Sequence, residues 1–245
     1  MASINYPLLL IFALAPSLIW LAFYLRKDAH PEPNRMILTV FLAGMLVTIL
    51  AFSIENFLEG FFSSFSLPAP VFLGLYFFLG IALVEEFLKY LVVRISAFSS
   101  SALDEPLDVM LYMVISALGF SAMENIFLLF KLIQLYPISG VFLVNAVRFV
   151  EAILLHALVS GLFGYFLAIS YLREKHAWLL FFGGLASATL LHGLFNFYIF
   201  TRGDQGLFSL LLPVIPLLGL ALFISFAFRR LRNMKSIYPS PIQRI

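Results

Sequence analysis

Long apolar runs separated by short polar breaks fill the chain, and the runs predict helices over Pro7–Leu25, Met36–Leu58, Ala69–Ser96, Leu107–Phe130, Val147–Tyr171, Ala177–Phe200 and Leu207–Phe228. Each is close to the roughly 20 residues that cross about 30 Å of hydrocarbon. The expected fold is therefore all-α, a polytopic membrane helix bundle of about seven transmembrane helices. It forms one membrane-embedded domain over residues 1–245, with its core at 69–200. Met1–Asn5 lacks the basic region of a signal peptide, so the first run is expected to stay as a span. The breaks carry turn chemistry: Pro31 and Pro33 stiffen the first, Ser99–Pro106 introduces the fourth helix, and Tyr136–Gly140 interrupts the chain before the fifth. After that interruption, Val141–Val147 either lies in the interface or extends the fifth helix.

Composition removes the soluble alternatives. Of the 245 residues, 62% are hydrophobic and 11% charged, against roughly 25% charged in soluble domains. The expected location is a cell membrane, crossed several times. With no cysteine, disulfides, thiolate catalysis and Cys-type zinc sites are excluded, and any metal would need His and carboxylate ligands. Net charge is only +2, and no nucleic-acid footprint is present. Alternating the loops puts Arg26, Lys27, Arg35, Arg94, Arg173, Lys175, Arg229, Arg230, Arg232, Lys235 and Arg244 on one side. Lys131, Arg148 and Arg202 fall on the other, which predicts an outside N-terminus and a cytoplasmic C-terminus.

Against this background, ionisable and amide groups inside the runs need an explanation, because each costs a few kcal/mol mid-bilayer. They are Glu85, Glu86, Lys89, Glu124, Asn125, Arg148, Glu151, His156, His192 and Asn196. Glu85 and Lys89 stand one turn apart on one helix face, where they could simply neutralise each other. Glu86 points about 100° away, and one lysine cannot cancel two carboxylates. A close carboxylate pair is a common way to supply an acid and a base to one site. Glu124-Asn125 and His192-x-x-x-Asn196 read either as hydrogen bonds gluing helices or as site residues. Gly193 removes bulk beside His192. Arg148 and Glu151 are expected near the outer interface, as an i,i+3 pair or snorkelling side chains. Depth joins the remainder: Glu124, His156 and His192 each fall about 10–14 Å from the outer end of their helices at 1.5 Å per residue. Glu85 and Glu86 are somewhat deeper, which predicts one shared cavity.

In order along the chain, these residues resemble the PrsW family of membrane proteases, within the wider group of CAAX prenyl proteases and bacteriocin-processing enzymes. The resemblance is carried by Pro31-Glu32-Pro33, Glu85-Glu86-x-x-Lys89, Asp104-Glu105-Pro106-Leu107-Asp108, Gly119-Phe120-x-x-x-Glu124-Asn125, Arg148 with His156, and His192-x-x-x-Asn196. It implies an intramembrane protease whose partner is a single-span membrane protein substrate, such as an anti-sigma factor in stress signalling. Glu124 stands where the wider group commonly has histidine.

Peptide hydrolysis needs an activated water, a proton donor for the amine and a stabiliser for the oxyanion. The expected catalytic set is Glu85, Glu86, Glu124, His156, His192 and Asn196, supported by Lys89, Asn125 and Arg148. Glu85 is the candidate base, helped by Glu86 or Glu124, and His156 shuttles protons or orients. The resemblance implies that His192 and Asn196 donate to the oxyanion. Lys89 would keep the glutamate pair charged. Two versions stay open: no cofactor, or a divalent metal such as zinc held by Glu124, His156 and His192 with Glu85 or Glu86 as base. An ion-coupled transporter or channel, or a non-catalytic immunity protein, would use the same polar inventory differently.

Overall fold

The computed structural model describes residues 6–28, 30–202 and 212–234. Among the described residues, seven helices are long and apolar enough to cross a membrane: α1 (Tyr6–Leu25), α2 (Asn34–Ser63), α3 (Ala69–Ser96), α4 (Pro106–Leu132), α5 (Ile138–Leu172), α6 (Ala177–Thr201) and α7 (Val214–Arg232). Among the described residues there is no strand. Met1–Asn5, Lys235, Arg244 and the first residues of the expected Leu207–Phe228 span lie outside the described residues.

α4 is the axis of the bundle and packs against α1, α2, α3, α5 and α7. Residues 106–122 are all buried, so α4 is surrounded by protein rather than lipid. Its start is fixed locally. Pro106 sits in the first turn, where its missing N–H removes no bond, and Glu105 and Asp108 cap each other's backbone N–H groups. Its crossing with α2 depends on missing side chains. A Cβ on Gly119 would lie 2.0 Å from the Phe41 carbonyl oxygen, and one on Gly44 would lie 2.3 Å from that of Ser116. Backbones this close are the usual means of packing helices in lipid, where hydrophobicity gives no net attraction. The lipid face is correspondingly apolar, with Leu46, Ile95 and Leu222 strongly exposed.

Three local features depart from regular helix. In α3, Tyr76–Ala82 is π-helical and is followed at once by α-helical Leu83–Ser96. A π-turn widens the helix and is frequent at functional sites. In α5, the pieces Ile138–Val150 and Ala152–Leu172 join at Glu151, so Val141–Val147 extends the fifth helix. In α1, Pro16 cannot donate to the Phe12 carbonyl. That carbonyl instead accepts from Asn145 Nδ2 at 3.1 Å, while the next, Ala13, accepts from Asn125 Nδ2 at 2.7 Å. Neighbouring side chains thus satisfy backbone that water cannot reach.

Candidate active site

The cluster is organised around Lys89. Its ammonium is fully buried and donates to Glu85 Oε2 at 3.0 Å and Glu86 Oε1 at 2.8 Å, and Nζ lies 2.8 Å from His156 Nδ1. An ammonium has three N–H groups and no acceptor. All three are therefore used, and His156 Nδ1 must be the acceptor. The Phe120 ring closes another side, with Nζ 4.4 Å from its centroid, a cation–π contact. The His156 proton is thereby assigned to Nε2, which faces Glu124 Oε2 at 2.7 Å.

Glu86 is saturated. It accepts from Lys89, from His192 Nδ1 at 2.9 Å and from Ser160 Oγ at 2.6 Å. That contact puts the His192 proton on Nδ1 and turns the lone pair of Nε2 towards Glu85. The two rings meet edge to face, 4.9 Å between centroids. Glu85 is different, since Lys89 is its single hydrogen-bond donor among the described residues. Glu85 Oε2 lies 3.7 Å from His156 Nδ1 and 3.8 Å from His192 Nε2. Each imidazole is thus held through one nitrogen by a carboxylate and presents the other to Glu85.

Outside this core, Arg148 Nη2 approaches Glu124 Oε2 at 3.8 Å, and its Nε donates to Asn125 Oδ1 at 3.0 Å. Asn125 in turn bonds Asn145 Oδ1 at 2.7 Å. Arg148 is therefore turned into the bundle, against the expectation of an Arg148–Glu151 pair, and Glu151 meets Arg202 at 3.7 Å instead. The α5 break at Glu151 separates the two side chains. Gly193 admits the Phe78 ring of the π-helical stretch, since a Cβ there would come within 2.6 Å of it. Asn196, a turn beyond His192, is half-buried and has no hydrogen bond to the cluster.

The structure thus brings Glu85, Glu86, Lys89, Glu124, His156 and His192 together, places Asn125 and Arg148 behind Glu124, and leaves Asn196 to one side. Two participants are absent from the sequence-derived set. Ser160 stands one turn after His156, a spacing that could have revealed it. Glu55 on α2 is a buried carboxylate whose Oε1 has no hydrogen-bond partner, within electrostatic reach of Glu85, Lys89 and Glu124. In the sequence it stands three residues before the expected end of its run at Leu58, whereas α2 continues to Ser63 and sets it further from the helix end.

The family described as PrsW family intramembrane metalloprotease matches residues 32–226. The chain belongs to this family. It is similar to proteins named Protease PrsW from Geobacillus kaustophilus (28% identical, covering 75% of this chain and 76% of the relative), Oceanobacillus iheyensis (28%; 84% and 88%) and Bacillus subtilis (28%; 76% and 80%). No solved structure matches it. As a member of this family the chain is a membrane protease of the multi-pass bacterial type, which decides against the transporter and immunity readings.

The family description brings in a metal, and the donor set accommodates one. Ligand atoms of Glu85, Glu86, His156 and His192 lie within 4.8 Å of one another. The histidines have the carboxylate-oriented rings that metal sites use. Glu124, expected as a ligand, stands on the far nitrogen of His156.

Proposed function

We propose that this protease hydrolyses a peptide bond of a single-span membrane protein, of the anti-sigma factor kind implied by the family resemblance, with Glu85 as general base. The reading is carried by the convergence of His156 Nδ1 and His192 Nε2 on Glu85 Oε2, at 3.7 and 3.8 Å. A base needs lone pairs not already committed to donors. Glu85 accepts one donor and Glu86 three, so Glu85 is the freer carboxylate and Glu86 is assigned to positioning Lys89 and His192. Glu85 takes the proton of the attacking water, and His192 Nε2 receives it and returns it to the leaving amine. In this tautomer the His192 proton is on Nδ1, held by Glu86, and His192 Nε2 has none to give to an oxyanion. Glu124 fixes the His156 ring. The core at 69–200 carries all of these groups.

A metal would be held by Glu85, His156 and His192, and would supply Lewis acidity and a more acidic bound water. Lys89 donates to His156 Nδ1, the one lone pair that this nitrogen would offer an ion, while Glu85 keeps lone pairs free. Metal and Lys89 therefore exclude each other at His156 Nδ1. A cavity of about 600 Å³ between α5, α6 and α7, walled by Leu155, Leu191, Leu194, Phe195 and Leu217, adjoins both histidines in sequence and suits an apolar substrate segment.

The test is cleavage of a single-span substrate by purified protein in liposomes. It compares wild type with Glu85→Gln, Glu86→Gln, His156→Ala and His192→Ala, with and without a chelator. Glu85→Gln is expected to lose about 10²–10⁴-fold, the range for a general base. Cutting by Glu85→Gln and both histidine variants at the wild-type rate would refute the site. Loss of activity on chelation, restored by zinc, selects the metal version, and chelator-resistant cutting selects the metal-free one.

A further inference from the structure

A second cavity, of about 340 Å³, opens between α1 and α7, with Leu154 of α5 at its floor. That volume lies within the roughly 300–1,000 Å³ of ligand pockets. The walls are apolar, with Trp20, Phe23 and Tyr24 on α1 facing Leu218, Ile224 and Phe228 on α7, and Lys27, Arg229 and Arg232 also line the cavity. Lys27 follows the last residues of α1, and the two arginines lie in the last turn of α7. No carboxylate lines the cavity, and among the described residues none of the three cations forms an ion pair. Lys27 instead packs over the Phe23 ring at 4.6 Å.

We propose that this groove is a binding site for an anionic phospholipid of the phosphatidylglycerol type, with its phosphate among Lys27, Arg229 and Arg232 and an acyl chain along the aromatic wall. The occupant follows from charge and polarity together. A free anion has no use for a wall of Trp20, Phe23 and Phe228, and a neutral lipid has none for three cations that no described carboxylate pairs. Basic pockets between transmembrane helices on the cytoplasmic side bind anionic headgroups in this way, and the basic end is the cytoplasmic end by the positive-inside rule.

The test is native mass spectrometry of the delipidated full chain titrated with phosphatidylglycerol or phosphatidylcholine of matched acyl chains. Wild type is expected to retain phosphatidylglycerol at least tenfold more tightly than phosphatidylcholine, with the preference shrinking in high salt as exposed charges are screened. Lys27→Gln/Arg229→Gln/Arg232→Gln abolishes the preference, and Ala221→Phe, which fills the groove while keeping the cations, lowers retention. Arg230→Gln removes a charge in the same turn that does not line the groove, and retention stays at wild-type level. Equal retention of the two lipids by wild type overturns the proposal. So does a loss in Arg230→Gln as large as in Arg229→Gln, which would mean diffuse surface charge. Should the triple variant not fold, Ala221→Phe and Arg230→Gln decide alone.

Discussion

Two acid-rich clusters occupy different parts of the chain, and they are built on opposite plans. In the bilayer, Glu85, Glu86 and Glu124 are interleaved with Lys89, His156 and His192. At the start of α4, Asp108 Oδ2 accepts the backbone N–H groups of Asp104 at 3.0 Å and Glu105 at 2.6 Å, and Tyr112 donates its hydroxyl to buried Glu32. The first cluster leaves two imidazole nitrogens turned on one carboxylate. The second commits its acceptors to backbone and phenol, and so ties the Pro31-Glu32-Pro33 turn to α4. Proximity of acids is common to both, and the difference lies in the partners: cations and imidazoles leave one carboxylate open, phenol and amides make a clasp.

The largest test of that difference removes Lys89. Lys89→Met strands two carboxylates with no cation in a fully buried site, and breaking a buried pair this way costs about 3–5 kcal/mol. The thermal midpoint in detergent should fall further for Lys89→Met than for Asp108→Asn, and Lys89→Met/Glu86→Gln should recover part of the loss. A smaller loss for Lys89→Met than for Asp108→Asn would mean that the ammonium does not hold the intramembrane cluster together.

Much of this comparison was legible in the sequence. The seven spans follow from apolar run length, because lipid imposes that length directly. The convergence of Glu85, Glu124, His156 and His192 follows from their similar depths on helices of alternating direction. The unequal hydrogen bonding of Glu85 and Glu86 was not legible, since it depends on which carboxylate Ser160 and His192 reach from neighbouring helices. Arg148 was expected at the interface because helix periodicity says nothing of the break at Glu151. The proline at position 16 predicts a free carbonyl but not that Asn145 would claim it.

A smaller effect is expected behind Glu124. Arg148 touches Glu124 and Asn125 rather than the imidazole nitrogens that face Glu85, so Arg148→Gln loosens the orientation of His156 without removing a reacting group. Losing such an outer partner typically costs about 10–100-fold, well short of the effect of Glu85→Gln. Single-turnover cleavage measures it, and Arg148→Lys should recover part of the rate. An Arg148→Gln loss as deep as that of Glu85→Gln would place Arg148 on the substrate instead.

The smallest effect belongs to the clasp and concerns pH. Burial, above all, pushes the Glu32 carboxyl above its ordinary value, with the nearby charges of Asp28 and Asp104 adding to the rise and the bonds to Tyr112 and Asp108 opposing it. A carboxyl raised in the folded state favours the protonated form there. Its contribution is complete below the unfolded value near 4.5 and is lost as pH rises through the folded one. Stability of the turn should therefore decline as pH rises above about 4.5 and through the raised folded value, read as faster limited proteolysis between α1 and α2. Glu32→Gln, which keeps an acceptor for Tyr112 but cannot ionise, should flatten that profile and leave the intramembrane cluster unchanged. An equally steep decline in Glu32→Gln would assign the pH response to a different group, and the clasp would then owe nothing to a proton on Glu32.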